Sequence, residues 1–138
     1  MILFCKLVKS GPMRFFYFML FFLFLPFLSS AQEKVIVKTH ANGKPHVVYY
    51  MKGKGESAQK VKEEVYYENG KLEYSGEYKN GIENGEWRYY YENGNLKAIE
   101  VWKNGVENGT WKEYHPDGRL ARELIYKNGK LVDTIVHK

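Results

Sequence analysis

Residues 66–96 read YYENGKLEYSGEYKNGIENGEWRYYYENGNL, and this stretch contains nearly the same sequence motif twice. The motif recurs with a period of 24 residues, which gives three consecutive units at residues 65–88, 89–112 and 113–136. An internal period of this kind is typical of supersecondary units that stack side by side. One hairpin alone is marginally stable, whereas three or more supply each other's missing neighbours. The repetition therefore predicts a repeat fold.

Asn-Gly pairs punctuate the units at regular places. Type I′ turns need positive φ at both central residues, and Asn and Gly tolerate this conformation best. The segments between the pairs, such as LKAIEVWK at 96–103, are short and rich in β-branched and aromatic residues, as strands are. No stretch after residue 31 shows a helical period. We therefore predict an all-β fold, an elongated antiparallel meander of repeated β-hairpins.

A degenerate copy of the unit precedes the three regular ones. HANGKP at residues 40–45 lies 27 residues before YENGKL at 67–72, which implies a short insertion around residues 53–57. The chain then divides into a degenerate first repeat with its insertion at 32–62 and three hairpin repeats at 63–138.

The turns also predict which residues face each other. If Asn93-Gly94 is a two-residue loop, Tyr91 faces Leu96 and Tyr89 faces Ala98. Because side chains alternate between the faces of a sheet, one face is predicted to be aromatic and the other mixed. The aromatic face carries Trp87, Tyr89, Tyr91, Leu96, Ala98 and Trp102, and the mixed face carries Arg88, Tyr90, Glu92, Lys97, Ile99 and Val101.

The first 31 residues have the pattern of a signal peptide. Arg14 precedes an apolar run at residues 15–28, and Ser29-Ser30-Ala31 places small residues where a signal peptidase reads. We expect cleavage after Ala31 and export to the periplasm, the outer surface or the medium. The run is shorter than the roughly 20 residues that a membrane-spanning helix needs, so a retained anchor is the alternative. Met13 is an alternative start to Met1.

The charge and the cysteine content of the chain argue against some classes of partner. Removal of the segment takes away the only cysteine, Cys5, and three basic residues, which leaves 18 basic and 16 acidic residues and a net charge of +2. Lys and Arg alternate with Glu instead of forming a basic stripe, which argues against nucleic acid as a partner. The same low charge gives little attraction to anionic lipid headgroups.

No catalytic constellation stands out, and we expect no enzyme activity, cofactor or metal. The carboxylates, Glu100 among them, recur with the hairpins near Lys or Arg and are interpreted as solvated surface residues. His40 and His46 flank a turn as two potential metal ligands, but tight sites use three or four, so single surface histidines are the favoured interpretation. His115 occupies the place of Tyr67 and Tyr91, as a packing substitute.

The aromatic residues are the best binding candidates. Large exposed apolar patches usually mark binding sites, although the same residues are the available core of a single-layer sheet. The candidates are Trp87, Trp102 and Trp111 on the aromatic face, and Tyr66, Tyr90 and Tyr114, which recur on the opposite face. Open sheet edges invite further strands, so both a monomer and an end-to-end dimer are open.

The repeating phrase also resembles a known family. Tyr-Tyr/His-x-Asn/Asp-Gly-x-Leu, then aromatic-Lys-Asn-Gly, then Gly-x-Trp is similar to the MORN-repeat superfamily, and more closely to bacterial MORN-variant repeats in proteins labelled YwqK-family antitoxins. The resemblance covers residues 63–133 well and 35–60 poorly. It departs at residues 131–133, where Leu-Val-Asp replaces Gly-x-Trp, and in the export signal.

The resemblance implies an antiparallel β-meander that acts as an interaction module for proteins or membrane lipids. We expect an exported, non-enzymatic module that binds protein or a surface polymer in the bacterial cell envelope. The alternative is an antitoxin or immunity-like protein that neutralises a toxin by binding it.

Overall fold

The computed structural model describes residues 32–138, which form one antiparallel sheet of 11 strands. The strands follow the order β1, β2, β3, β4, β6, β7, β9, β10, β11, with β5 beside β4 and β8 beside β7. Their bounds are β1 Glu33–Thr39, β2 Pro45–Lys52, β3 Gln59–Tyr66, β4 Leu72–Lys79, β5 Ile82–Glu83, β6 Gly85–Tyr90, β7 Leu96–Lys103, β8 Val106–Glu107, β9 Gly109–Tyr114, β10 Leu120–Lys127 and β11 Lys130–Val136.

This architecture confirms the predicted all-β meander of hairpins. A single turn of 3-10 helix, Gly55–Ser57, connects β2 to β3 at the place of the inferred insertion. The expected signal peptide at 1–31 lies outside the described residues. Across residues 32–138, no helix has the length and apolar character needed to cross a membrane.

Two kinds of turn alternate along the meander. At Asn80-Gly81, Asn104-Gly105 and Asn128-Gly129 both residues have positive φ, so these are the predicted type I′ turns. At the other end of the hairpins the loop has three residues: the N–H of Gly94 donates to the carbonyl of Tyr91, and the N–H of Tyr91 donates to the carbonyl of Asn95. Only Gly94 has positive φ there, so the expected two-residue loop at Asn93-Gly94 is wrong.

The longer loop changes the register beside it. Tyr89 pairs with Ala98 as predicted, but a β-bulge follows, and Tyr90 instead of Tyr91 pairs with Leu96. Leu96 therefore shares a face with Tyr90, because cross-strand partners point to the same side. The bulge recurs, since Tyr66 pairs with Leu72 and Tyr114 pairs with Leu120.

The registers define two faces. We call the side with Tyr74, Trp87, Tyr89, Trp102 and Trp111 the tryptophan face. We call the side with the pairs Tyr66–Leu72, Tyr90–Leu96 and Tyr114–Leu120 the tyrosine face.

Neighbouring hairpins are joined by a recurring side-chain hydrogen bond. The Tyr67 hydroxyl donates to the carbonyl of Tyr90 over 2.7 Å, and the Tyr91 hydroxyl donates to the carbonyl of Tyr114 over 2.8 Å. In the degenerate first copy, His40 occupies the position of Tyr67 and Tyr91, and its Nε2 lies 2.7 Å from the carbonyl oxygen of Tyr66. His115, at the equivalent place in the last unit, is exposed. Each unit therefore holds the backbone of the next one along the chain.

The core is small because the described residues form a single layer. Val48, Val65 and Trp87 are the buried apolar residues, and Trp87 is 7 % exposed. The Trp87 ring lies directly over Gly76, where a Cβ atom would come within 2.1 Å of the indole. Tyr74 and Tyr78 flank the same indole, with ring centroids at 6.0 and 5.3 Å. This aromatic stack on Gly76 is the packing centre of the sheet.

Candidate functional site

The tyrosine face presents a row of half-exposed tyrosines. Tyr66, Tyr90 and Tyr114 recur one unit apart, each opposite a half-exposed leucine. Tyr66 differs from the other two because its hydroxyl donates to Glu64. A surface pocket of about 280 Å³ opens beside Tyr66, lined also by Lys34, Lys44, Pro45 and Gly70. The row therefore repeats one tyrosine–leucine pair per unit along the sheet.

The three tryptophans lie on the opposite face and differ in exposure. Trp87 is buried, and its indole N–H donates to the carbonyl of Glu77 over 3.3 Å. Trp111 is half-buried and donates to the carbonyl of Val101 over 3.0 Å. Trp102 is also half-buried but donates to a side chain, the Glu100 carboxylate, over 3.2 Å. The six sequence candidates thus form two separate surfaces, and Trp87 is used for packing.

A second feature of the tryptophan face is a cage around the ammonium of Lys60. Its Nζ lies 2.7 Å from Glu63 Oε2, and 4.4 and 3.8 Å from the ring centroids of Tyr49 and Tyr78. Glu63 also accepts the Tyr74 hydroxyl over 2.9 Å. Burial raises the pKa of Glu63, but the hydrogen bonds from Lys60 and Tyr74 outweigh burial and leave this pKa below its ordinary value. We call this cluster the Lys60 cage.

Glu64 forms a matching cluster on the tyrosine face. It accepts the Tyr50 hydroxyl over 2.7 Å, the Tyr66 hydroxyl and the Lys62 ammonium over 2.8 Å. Burial raises the pKa of Glu64, and the hydrogen bonds from Lys62 and the two tyrosines more than offset this effect, so its pKa is also lowered. The hydrogen bond to Glu64 raises the pKa of Tyr50 to about 12.

Sequence reasoning missed both clusters. The segment KVKEEV at residues 60–65 supplies both lysines and both acids, but strict alternation would place Lys60 on the face of Lys62 and Glu64. A register shift between Lys62 and Lys60 brings Lys60 to the face of Glu63 instead. Apart from Tyr66, the tyrosine partners lie on other strands, up to 15 residues away in sequence. The partners therefore could not be read from this segment alone.

The lowered pKa values predict a loss of stability in acid. Because the folded-state pKa of Glu63 and of Glu64 lies below the unfolded value, their contribution is complete above about pH 5 and is lost as the pH falls through the folded-state pKa. We expect the urea midpoint of the protein to fall between about pH 6 and pH 3, and to fall less in the double variant E63Q/E64Q.

The matched control is E86Q, which removes an exposed carboxylate that pairs with Arg88 on the surface. Such pairs contribute little, so E86Q should keep the pH dependence of the unchanged protein. Equal pH slopes for E63Q/E64Q and the unchanged protein would contradict the assignment.

Glu100 is predicted to be a solvated surface carboxylate, and this prediction is wrong. It is half-buried on the tryptophan face, where its Oε2 accepts the Tyr89 hydroxyl over 3.1 Å and the Trp102 indole N–H over 3.2 Å. Burial raises the pKa of Glu100, hydrogen bonds from Trp102 and Tyr89 oppose this, and nearby Glu113 adds to the rise, so the net direction is upward. Its solvated-surface interpretation fails because neighbouring aromatic rings cover it.

The candidate metal ligands of the described residues do not converge. Within residues 32–138, no three His, Cys, Asp or Glu side chains converge as potential metal ligands. The rings of His40 and His46 stack with centroids 4.3 Å apart, and Nε2 of His40 already contacts the carbonyl of Tyr66. What the geometry offers is contact surface: aromatic rings, carboxylates and ammonium groups held on a sheet.

Comparison with known proteins agrees with this architecture. The family model of the MORN repeat variant matches residues 60–80, 83–104 and 107–132, which together make up half of the chain. No curated protein and no solved structure matches the chain. Each matched segment begins five or six residues before one of the three units and contains the tyrosine–leucine pair of that unit. The chain therefore belongs to the MORN repeat variant family.

Proposed function

We propose that this protein is an exported repeat module that acts by binding, not by catalysis, and that it engages a protein in the bacterial cell envelope. The observation that carries the proposal is the row of Tyr66, Tyr90 and Tyr114 on a single-layer sheet. Tyrosine presents a large, rigid ring with a polar tip, a combination that is enriched at protein interfaces. Family membership supports a binding role for the repeats.

The spacing of the row supports an extended contact. Successive tyrosines are fixed relative to each other because the hydroxyls of Tyr67 and Tyr91 hold the backbone carbonyls of Tyr90 and Tyr114. A contact surface held in place in this way loses little conformational freedom when a partner docks. A surface polymer is the other ligand that such a row of rings would accept.

The test is affinity purification from a fractionated cell envelope with the native protein as bait. We expect a partner that the double variant Y90A/Y114A loses, and a bait whose intact mass corresponds to a chain beginning at Gln32. The control is I82A/V106A, which truncates two exposed apolar residues at the turn tips and should retain the partner. Retention of every partner by folded Y90A/Y114A would refute the surface, and a full-length chain would refute export with cleavage.

Toxin neutralisation is the second candidate, favoured by the resemblance of the repeat phrase to YwqK-family antitoxins. In that role the tyrosine face would occlude the active surface of a toxin. Cells that produce a toxic protein from a neighbouring gene would then grow again when this protein is co-expressed. Co-expression of Y90A/Y114A would not restore their growth. A toxic neighbour that kills equally in the presence and absence of this protein would exclude the role.

A further inference from the structure

Two units of the tryptophan face are built around a carboxylate, and they differ in what neutralises it. In the first, Glu63 accepts two tyrosine hydroxyls and holds the ammonium of Lys60 at 2.7 Å. In the second, Glu100 accepts one tyrosine hydroxyl and one indole N–H. Among residues 32–138, no Lys, Arg or His nitrogen lies within 4.0 Å of Glu100.

The two carboxylates occupy opposite members of equivalent cross-strand pairs. Glu63 on β3 pairs with Gly76 on β4, and Trp87 on β6 pairs with Glu100 on β7. The acid has thus changed strands while staying on the same face and in the same row of the sheet. The position of Lys60, three residues before Glu63, corresponds to Asn84 in the next unit, so the second unit lacks the built-in ammonium.

A cavity opens beside Glu100. It has a volume of about 280 Å³ and is lined by Tyr89, Tyr91, Lys97, Ala98, Glu100, Glu113 and Tyr114. Both hydrogen bonds to Glu100 go to Oε2, which leaves Oε1 for another donor. The other lining charges have their own contacts: Arg122 binds Glu113 through two nitrogens at 2.7 and 2.9 Å, and the Lys97 ammonium lies 5.8 Å from the ring centroid of Tyr91.

We propose that this cavity binds the side-chain ammonium of a lysine from a partner protein, with Glu100 as its counter-ion and the tyrosine rings as its walls. The Lys60 cage shows that this sheet accommodates an ammonium between aromatic rings and a carboxylate. Aromatic faces attract cations through the ring quadrupole, and the attraction grows when the site is partly desolvated. The raised pKa of Glu100 agrees with a carboxylate that lacks a cationic partner. Tyr114 contributes to the lining of this cavity, whereas Tyr90 does not, so the site does not depend on the role of Tyr90.

The experiment follows the indole N–H resonance of Trp102, which donates to Glu100. The probe is Nα-acetyl-lysine N-methylamide, and the matched compound is the norleucine analogue, which lacks the ammonium. We expect a saturable shift with a Kd on the order of 1–10 mM for the lysine probe, a negligible shift for norleucine, and binding weakened at least about tenfold in E100Q.

Two control variants separate this site from other effects. E86Q removes a carboxylate from the tyrosine face and should bind the lysine probe as the unchanged protein does. The single variant Y90A keeps every residue that lines the cavity and should also bind the lysine probe, so that loss of a contact on the tyrosine face and loss of this site are distinguishable. Thermal unfolding of E100Q establishes that the variant is folded.

The proposal is overturned if the norleucine analogue shifts Trp102 as strongly, if folded E100Q binds as well as the unchanged protein, or if no saturable shift develops. Methylammonium chloride distinguishes the sources of the cation. A shift with the lysine probe alone supports a protein side chain, and an equal shift with methylammonium overturns the assignment to a protein side chain and assigns the cavity to free amines.

Discussion

Alanine at Gly76 is expected to destabilise the protein by about 2–4 kcal/mol, because the new methyl group would occupy space that the Trp87 indole already fills. The nearest ring atom lies 2.1 Å from the position of the Cβ, well inside van der Waals contact. Trp87 cannot yield by a small rotation, since Tyr74 and Tyr78 flank its ring. Thermal unfolding of G76A should show a fall in Tm of roughly 10 °C or more.

A double-mutant cycle tests the physical cause. In the W87A background the indole is absent, so G76A should cost less than about 0.5 kcal/mol. Gly76 lacks the positive φ that most of the described glycines have, so backbone strain does not enter the comparison. An undiminished cost of G76A in the W87A background would show that the clash with Trp87 is not the reason.

Truncation of Trp87 is expected to be the most damaging single change, at about 3–5 kcal/mol. Trp87 is the large aromatic residue in the small core, and it contacts Tyr74 and Tyr78 while its N–H binds the carbonyl of Glu77. A cavity of this size in a single-layer sheet leaves the neighbouring rings without a partner. Urea unfolding followed by circular dichroism measures the loss.

W111A is the matched control for W87A. Trp111 occupies the same place one unit later and packs against Trp102 and Tyr126 at 5.3 and 4.5 Å, but it is only half-buried. Since the cost of truncation follows the apolar area lost, W111A should cost about half as much as W87A. Equal costs would mean that the sheet is stabilised uniformly along its length, without a packing centre at Gly76.

The sequence predicted which of the six aromatic candidates share a face, but not how deeply each of them is buried. Tyr66, Tyr90 and Tyr114 do recur on one face because a period of 24 residues preserves the even alternation of a strand. The prediction for Leu96 failed because a bulge of one residue moves a side chain to the other face. The three tryptophans share a face, yet their exposure differs, since Trp87 alone has a glycine beneath its ring.

The sequence by itself determined the repeat, the hairpins, the type I′ turns at the Lys-Asn-Gly tips and the family. These properties are local, because Asn and Gly accept the positive φ that a type I′ turn needs and because alternation along a strand assigns side chains to its two faces. The tertiary structure alone decided the face of Leu96, the Lys60 cage and the partial burial of Glu100. Each of these depends on which residues of separate strands come into contact, and a one-residue bulge, invisible in the repeat pattern, sets that register.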